Sequence, residues 1–167
     1  NSYKKFLLLS EKGDPKSQYN LAVIFYKGEG ITQNFKKSYY WSLISHLSNQ
    51  KESLKILNNS KRKLTNEEID EINNEVKDYL ENIVNNGEIY PLIPLAKWHL
   101  TIPKKPDFDN SYKWLSVATA LEIPNTKKAR DKIFKNVEKE NLSDLQSESN
   151  EIYNTIISAK NSNKNGE

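Results

Sequence analysis

A chain of 167 residues with 36% apolar side chains can build a modest core but carries no apolar run near 20 residues, so no segment reads as a membrane-spanning helix; Phe6-Leu7-Leu8-Leu9 is far too short. The net charge of +3, from 25 basic and 22 acidic residues with Arg62 and Arg130 the only arginines, argues against nucleic-acid binding, which draws on arginine's forked donors. The absence of cysteine excludes disulfides, thiolate catalysis and cysteine-ligated metal. The chain opens on Asn1 and contains no methionine, which marks a processed form or a fragment with any targeting segment outside it.

Helical punctuation runs through the chain. Ser2 is placed to cap a first helix that ends at Gly13. Asp14-Pro15 then sets a carboxylate at the cap and proline at the first helical position. That second helix carries Leu21, Ala22 and Phe25 on one face and stops at Gly28, where Gly28-Glu29-Gly30 tolerates positive φ. Asn34 caps a third helix with Ser38, Trp41, Ile44 and Ser45 as its buried stripe, ending at Asn49. A shorter helix spans about 50–60. Thr65-Asn66-Glu67-Glu68 is a capping box opening a long helix with Ile69, Ile72, Val76, Leu80 and Ile83, which ends near Asn86-Gly87. The next helix runs to about Thr101, and Pro94 should delay or kink its start. After the turn Ile102-Pro103-Lys104-Lys105-Pro106, a helix carries Ser111, Trp114, Val117 and Ala118. Asn125 or Thr126 caps a further helix, and a last one from about Ser143 presents Leu145, Ile152 and Ile156. The polar run from Lys160 to Glu167 is expected to be disordered. No period-2 segment of useful length interrupts this series, so the fold class is all-α.

Two stretches are near copies. Asn34-Phe35-Lys36-Lys37-Ser38-Tyr39-Tyr40-Trp41 and Asp107-Phe108-Asp109-Asn110-Ser111-Tyr112-Lys113-Trp114 both read acid or amide, Phe, two polar residues, Ser, Tyr, a variable residue and Trp, 73 residues apart. Repeated units of this size stack on neighbours and create an extended face. The wider segment from Gly13-Asp14 through Ser17, Leu21-Ala22, Phe25, Gly28-x-Gly30-Ile31 and Asn34 to Lys37-Ser38 and Trp41 resembles a Sel-1-like repeat, a branch of the tetratricopeptide-type solenoids. Ala22 stands for that family's usual glycine, Ile31 for valine, Asn34 for an acid, and Ser17 and Ser38 for alanines. A weaker second copy places Gly87 at the leading glycine, Leu95-Ala96 at the Leu-Gly pair, His99 at the aromatic position and Asp107 to Trp114 at the end, with the glycine turn lost.

The resemblance implies a short right-handed α-solenoid of antiparallel helix pairs. Its parts would be a leading helix (1–12), a first module (13–86), a divergent second module (87–159) and a tail (160–167). It implies a non-catalytic scaffold for protein–protein interaction, an accessory subunit or adaptor that holds a protein or peptide within a multi-subunit complex, with no cofactor. Export to the periplasm is a common family property. The alternative is an exported regulator or enzyme of cell-wall peptidoglycan metabolism. The repeat core falls on Leu21, Ala22, Phe25, Trp41, Leu95, Ala96 and Trp114. First helices line the concave face of such solenoids, which nominates Tyr19, Asn20, Val23, Ile24 and Lys27, with Lys97 and Trp98 of the second module, as the partner-binding surface; the same side chains serve equally as packing against the next helix. Trp98 reads either as core or as a surface anchor.

The remaining constellations have plain structural readings. His46 and His99 lie 53 residues apart without an acid or cysteine at ligand spacing, so no metal site and no general base is expected, and His99 fills an aromatic core slot. Glu67, Glu68, Asp70, Glu71 and Glu75 read as the solvated face of a helix whose dipole favours early negative charge. The chain has no Walker loop, GxGxxG, GxSxG or HExxH, and Gly28-Glu29-Gly30 is a turn and not a phosphate cradle. No catalytic residue is nominated.

Overall fold

The computed structural model describes residues 1–165, and every regular element among them is helical. In chain order these are α1 (Ser2–Glu11), α2 (Pro15–Lys27), α3 (Phe35–Leu47), α4 (Ser53–Lys61), α5 (Asn66–Asn85), α6 (Leu92–Thr101), α7 (Phe108–Ala120), α8 (Thr126–Phe134) and α9 (Leu142–Asn165), with a 3-10 turn at Lys139–Asn141. The all-α expectation is met. No helix among the described residues is long and apolar enough to cross a membrane.

The local start signals explain most of these bounds. Asp14 caps α2 by accepting from the Ser17 amide at 3.1 Å, with Pro15 at the first helical position, where its missing N–H costs nothing. Asn34 caps α3 through the Lys37 amide at 2.9 Å. At α5 the capping box is reciprocal: Thr65 Oγ1 accepts from the Glu68 amide at 3.1 Å, and Glu68 Oε1 accepts from the Thr65 amide at 3.0 Å. That exchange, with Lys36 beside it, holds the Glu68 carboxyl below its usual range. Helix α2 ends at Gly28 in the left-handed conformation, φ 66°, where a Cβ would stand 2.8 Å from the Gln33 backbone nitrogen.

Several bounds differ from the sequence reading. The cap of α1 is Asn1, whose side chain accepts from the Lys4 amide at 3.0 Å, so Ser2 is already helical. α4 begins at Ser53, not Gln50, because the chain must first turn through Asn49 at φ 69°. Pro94 is tolerated without interrupting α6, which begins at Leu92 and so places proline in the first turn, where amides lack helical acceptors. The run expected to be disordered from Lys160 is helical as far as Asn165, continuing α9; Gly166 and Glu167 lie outside the described residues.

The chain forms two compact units, residues 1–77 and from residue 78 onward, divided within α5 and not at the Gly87 repeat boundary. In the first unit α1 packs on α2, α2 on α3, and α3 on α4. Leu21, Ala22 and Ile44 are wholly buried, with Phe25 and Leu47 at 2% exposure. Two buried serines of α3 allow close helix approach and donate to carbonyls of α2: Ser38 Oγ to that of Ala22 at 2.8 Å and Ser45 Oγ to that of Pro15 at 2.7 Å. The second unit packs α6 on α7 and α7 on α8 and α9, around Leu92, Leu95, Ala96, Val117, Ala118 and Ile156.

Several helix lengths and turn hydrogen bonds of the first unit have counterparts in the second. α3 and α7 are each 13 residues, α4 and α8 each 9, and both pairs start 73 positions apart. The turn before α2 bonds Gly13 N to Ser10 O and Asp14 N to Leu9 O; the turn before α6 bonds Gly87 N to Val84 O and Glu88 N to Ile83 O. Asn34 N donates to Phe25 O and Asp107 N to His99 O, both at 2.8 Å. Gln50 N to Ser45 O is matched by Ile123 N to Ala118 O, with Asn49 (φ 69°) and Glu122 (φ 61°) both left-handed in these turns. Even a side-chain tie recurs: Tyr39 Oη donates to Asn73 Oδ1 at 2.6 Å, and Gln146 Nε2 donates to Tyr112 Oη at 3.2 Å.

Candidate functional site

The nominated surface residues of α2 are accessible in graded fashion. Lys27 is exposed, and Tyr19, Asn20, Val23 and Ile24 are half-buried. The Lys16 ammonium lies 5.2 Å from the Tyr19 ring centroid and pairs with Glu52, which ties this strip to α4's start. Ile24 borders a cleft of about 350 Å³ shared with Asn1, Tyr3 and Gly30. The α6 nominees differ. Trp98 is only 7% exposed, packed edge-on to His99 at 5.0 Å, so the surface-anchor reading is corrected in favour of core. Lys97 is half-buried, and burial lowers its ammonium pKa. The repeat-core residues Leu21, Ala22, Phe25, Trp41, Leu95, Ala96 and Trp114 are all buried.

A groove that the sequence did not single out opens within the first unit. Its volume is about 420 Å³. Tyr3 of α1, Phe25 of α2, and Tyr40 and Trp41 of α3 supply an aromatic lining, completed by the aliphatic Leu7 of α1 and Ile72 of α5. Tyr3 stands edge-on to Phe25 at 5.7 Å, and Tyr40 edge-on to Trp41 at 5.2 Å, the geometry favoured by ring quadrupoles. Charges stand on both walls. On α3, Lys36 pairs with Glu68 at 3.3 Å, and the Lys37 ammonium lies 5.4 Å from the Phe25 ring centroid. On α5, Glu71 and Glu75 sit one turn apart, both exposed. Ile72 points inward at 4% exposure, and the helical period carries its neighbours Glu71 and Glu75 to the groove's rim.

One titratable pair escapes the sequence reading, which puts His99 in an aromatic core slot and Asp107, eight residues on, at the start of the repeated motif. His99 Nδ1 lies 3.2 Å from Asp107 Oδ2. Burial would push the Asp107 carboxyl up, but bonds from the Asn110 side chain (2.7 Å) and amide (3.1 Å), with His99 alongside, hold it below its ordinary value. A signal was available: His99 aligns with Phe25 and Asp107 with Asn34, positions whose backbones bond in the first unit. The pair sits where α6 hands over to α7, with Asp107 serving as the cap of α7. Among the described residues no group of three or more His, Cys, Asp or Glu side chains is gathered as for a metal ion.

Fold and site together define a chain whose regular elements, among the described residues, are all helical, with turn hydrogen bonds matched between its two units and an aromatic groove with charged walls in the first. No known protein-family model matches the sequence, and no curated protein is significantly similar to it.

Proposed function

We propose that the chain is a non-catalytic protein-interaction module, made of two Sel-1-like helical repeats in a short right-handed solenoid, which holds a peptide segment of a larger assembly as an adaptor or accessory subunit. The observation that carries this is the duplicated helix–turn–helix plan, in which turn hydrogen bonds recur position for position although most side chains have changed. Such duplication conserves a backbone that presents surfaces, which is how repeat proteins bind. The aromatic groove of the first unit is the binding surface best equipped for the task, because rigid aromatic side chains supply contact area at low entropic cost. On α2, Phe25 lines this groove, and Lys27 is exposed.

The test is panning of a random peptide library displayed on phage against the intact chain. A related set of sequences should be enriched and should bind with micromolar affinity. That binding should fall at least about tenfold in Tyr40→Ala with the helical circular dichroism preserved. Failure to enrich any related set would contradict the interaction function.

A further inference from the structure

A second surface of the first unit carries charge of one sign. Between Glu52 and Glu67 the sequence has no carboxylate and places Lys55, Lys61, Arg62 and Lys63. α4 ends inside this stretch, and α5 begins at its far end. Where the chain passes from one helix to the other, a cleft of about 450 Å³ is lined by Asn58, Lys61, Arg62, Leu64, Asn66 and Ile69. Its ionic lining is two cations and no anion. Lys61 and Arg62 are exposed, and neither forms an ion pair among the described residues. Arg62 donates one N–H to Asn59 Oδ1 at 3.2 Å, which leaves most of its donor fork available. The flanking carboxylates do not cancel this charge. Glu52 pairs with Lys16, Glu68 with Lys36, and Glu67 lies outside the lining.

An apolar contact point lies along the same face. Leu54 is 47% exposed, and Leu54, Asn58 and Lys61 follow the i, i+4, i+7 spacing that sets side chains on one side of a helix. From Leu54 to Lys61 the helix rises about 10 Å, which an extended peptide covers in about three residues.

We infer that this face docks an acidic segment of a protein partner, with two adjacent carboxylates held by Lys61 and Arg62 and an apolar side chain about three residues away resting on Leu54. The planar fork of Arg62 matches a carboxylate, and the neighbouring ammonium supports the second charge. Nucleic acid fits less well, because the cleft has no aromatic lining on which bases could stack. A membrane surface also fits less well: α4 buries Ile56 and Leu57, so Leu54 alone among its large apolar residues faces solvent. The inference rests on the interaction function proposed above, but not on the aromatic groove as its site.

The probe is a synthetic fluorescein-labelled peptide of Gly and Ser that carries a leucine and, three residues on, two adjacent aspartates. It is titrated with the intact chain in anisotropy measurements. Binding should saturate, and it should weaken roughly tenfold when the aspartates are replaced by asparagine, in Lys61→Gln/Arg62→Gln, or when salt is raised well above physiological strength. Leu54→Ser should weaken it about threefold with helical circular dichroism unchanged. Tyr40→Ala should leave it unaltered, which separates this face from the groove. No saturable binding, or binding indifferent to both the asparagine peptide and the double variant, would overturn the inference; the panning result stands apart and would still decide the interaction function. Equal affinity for a peptide lacking the leucine would overturn the apolar half of the docking mode. A single-stranded oligonucleotide or phosphatidylserine vesicles that bind more tightly than the peptide and are lost in the double variant would assign the face to that partner and overturn it as well.

Discussion

Trp41 and Trp114 hold one position in two units, 7% and 4% exposed, each on the central helix of its unit. Truncating either to alanine removes a large buried ring and should cost about 3–5 kcal/mol in urea unfolding. Trp98→Ala belongs with them, since that indole is equally buried; an unchanged urea midpoint in any of the three would contradict its placement. Two buried or part-buried groups should be visible in pH titrations of stability. Burial pushes the Tyr39 hydroxyl up to about 12 despite its bond to Asn73. Between about pH 10 and that value the unfolded tyrosine releases its proton while the folded one keeps it, so stability falls with rising pH there, and Tyr39→Phe should flatten this limb. Asp107 has the opposite sign. Its carboxyl is depressed in the folded state, so its stabilising contribution is present above the ordinary aspartate range and is lost as pH falls through that range and below. Asp107→Asn keeps a cap of the kind Asn34 provides and should flatten the acid limb with little loss at neutral pH.

At the scale of elements, what could be read from the sequence is what is decided locally. The caps Asp14 and Asn34 and the Thr65–Glu68 box bond to amides three residues on, so a window of four residues contains the whole interaction. The buried stripes of α3 and α7 were likewise legible because helical periodicity alone turns Ser38, Trp41, Ile44 and Ser45, or Ser111, Trp114, Val117 and Ala118, to one side. Ends set by tertiary packing were not. α9 runs to Asn165 through a polar sequence with no stop signal, and Ala159 on it packs against the Gly87 turn. The groove escaped for the same reason: Glu71 and Glu75 look like a solvated face, and only the neighbouring α1 and α3 turn that face into a wall. Gly87 tests the packed turn. It sits at φ 96°, and a Cβ there would fall 2.5 Å from that of Ala159. Gly87→Ala should therefore lose more than about 1 kcal/mol in chemical denaturation, and an unchanged midpoint would contradict the close approach.

For the whole molecule, the consequential feature is that several turn hydrogen bonds of the first unit have counterparts in the second. The backbone plan of one unit recurs in the other, down to the Tyr39–Asn73 and Tyr112–Gln146 ties, while the side chains around the repeat tryptophan change from Tyr40 to Lys113. The most direct measurement is hydrogen–deuterium exchange of the intact chain with and without its tightest library-selected peptide. Binding in the groove should slow exchange in the segments bearing Tyr3–Leu7, Lys36–Trp41 and Glu71–Glu75 and leave α8 unchanged. Protection confined to other segments, or none at saturating peptide, would contradict the groove as the site of interaction.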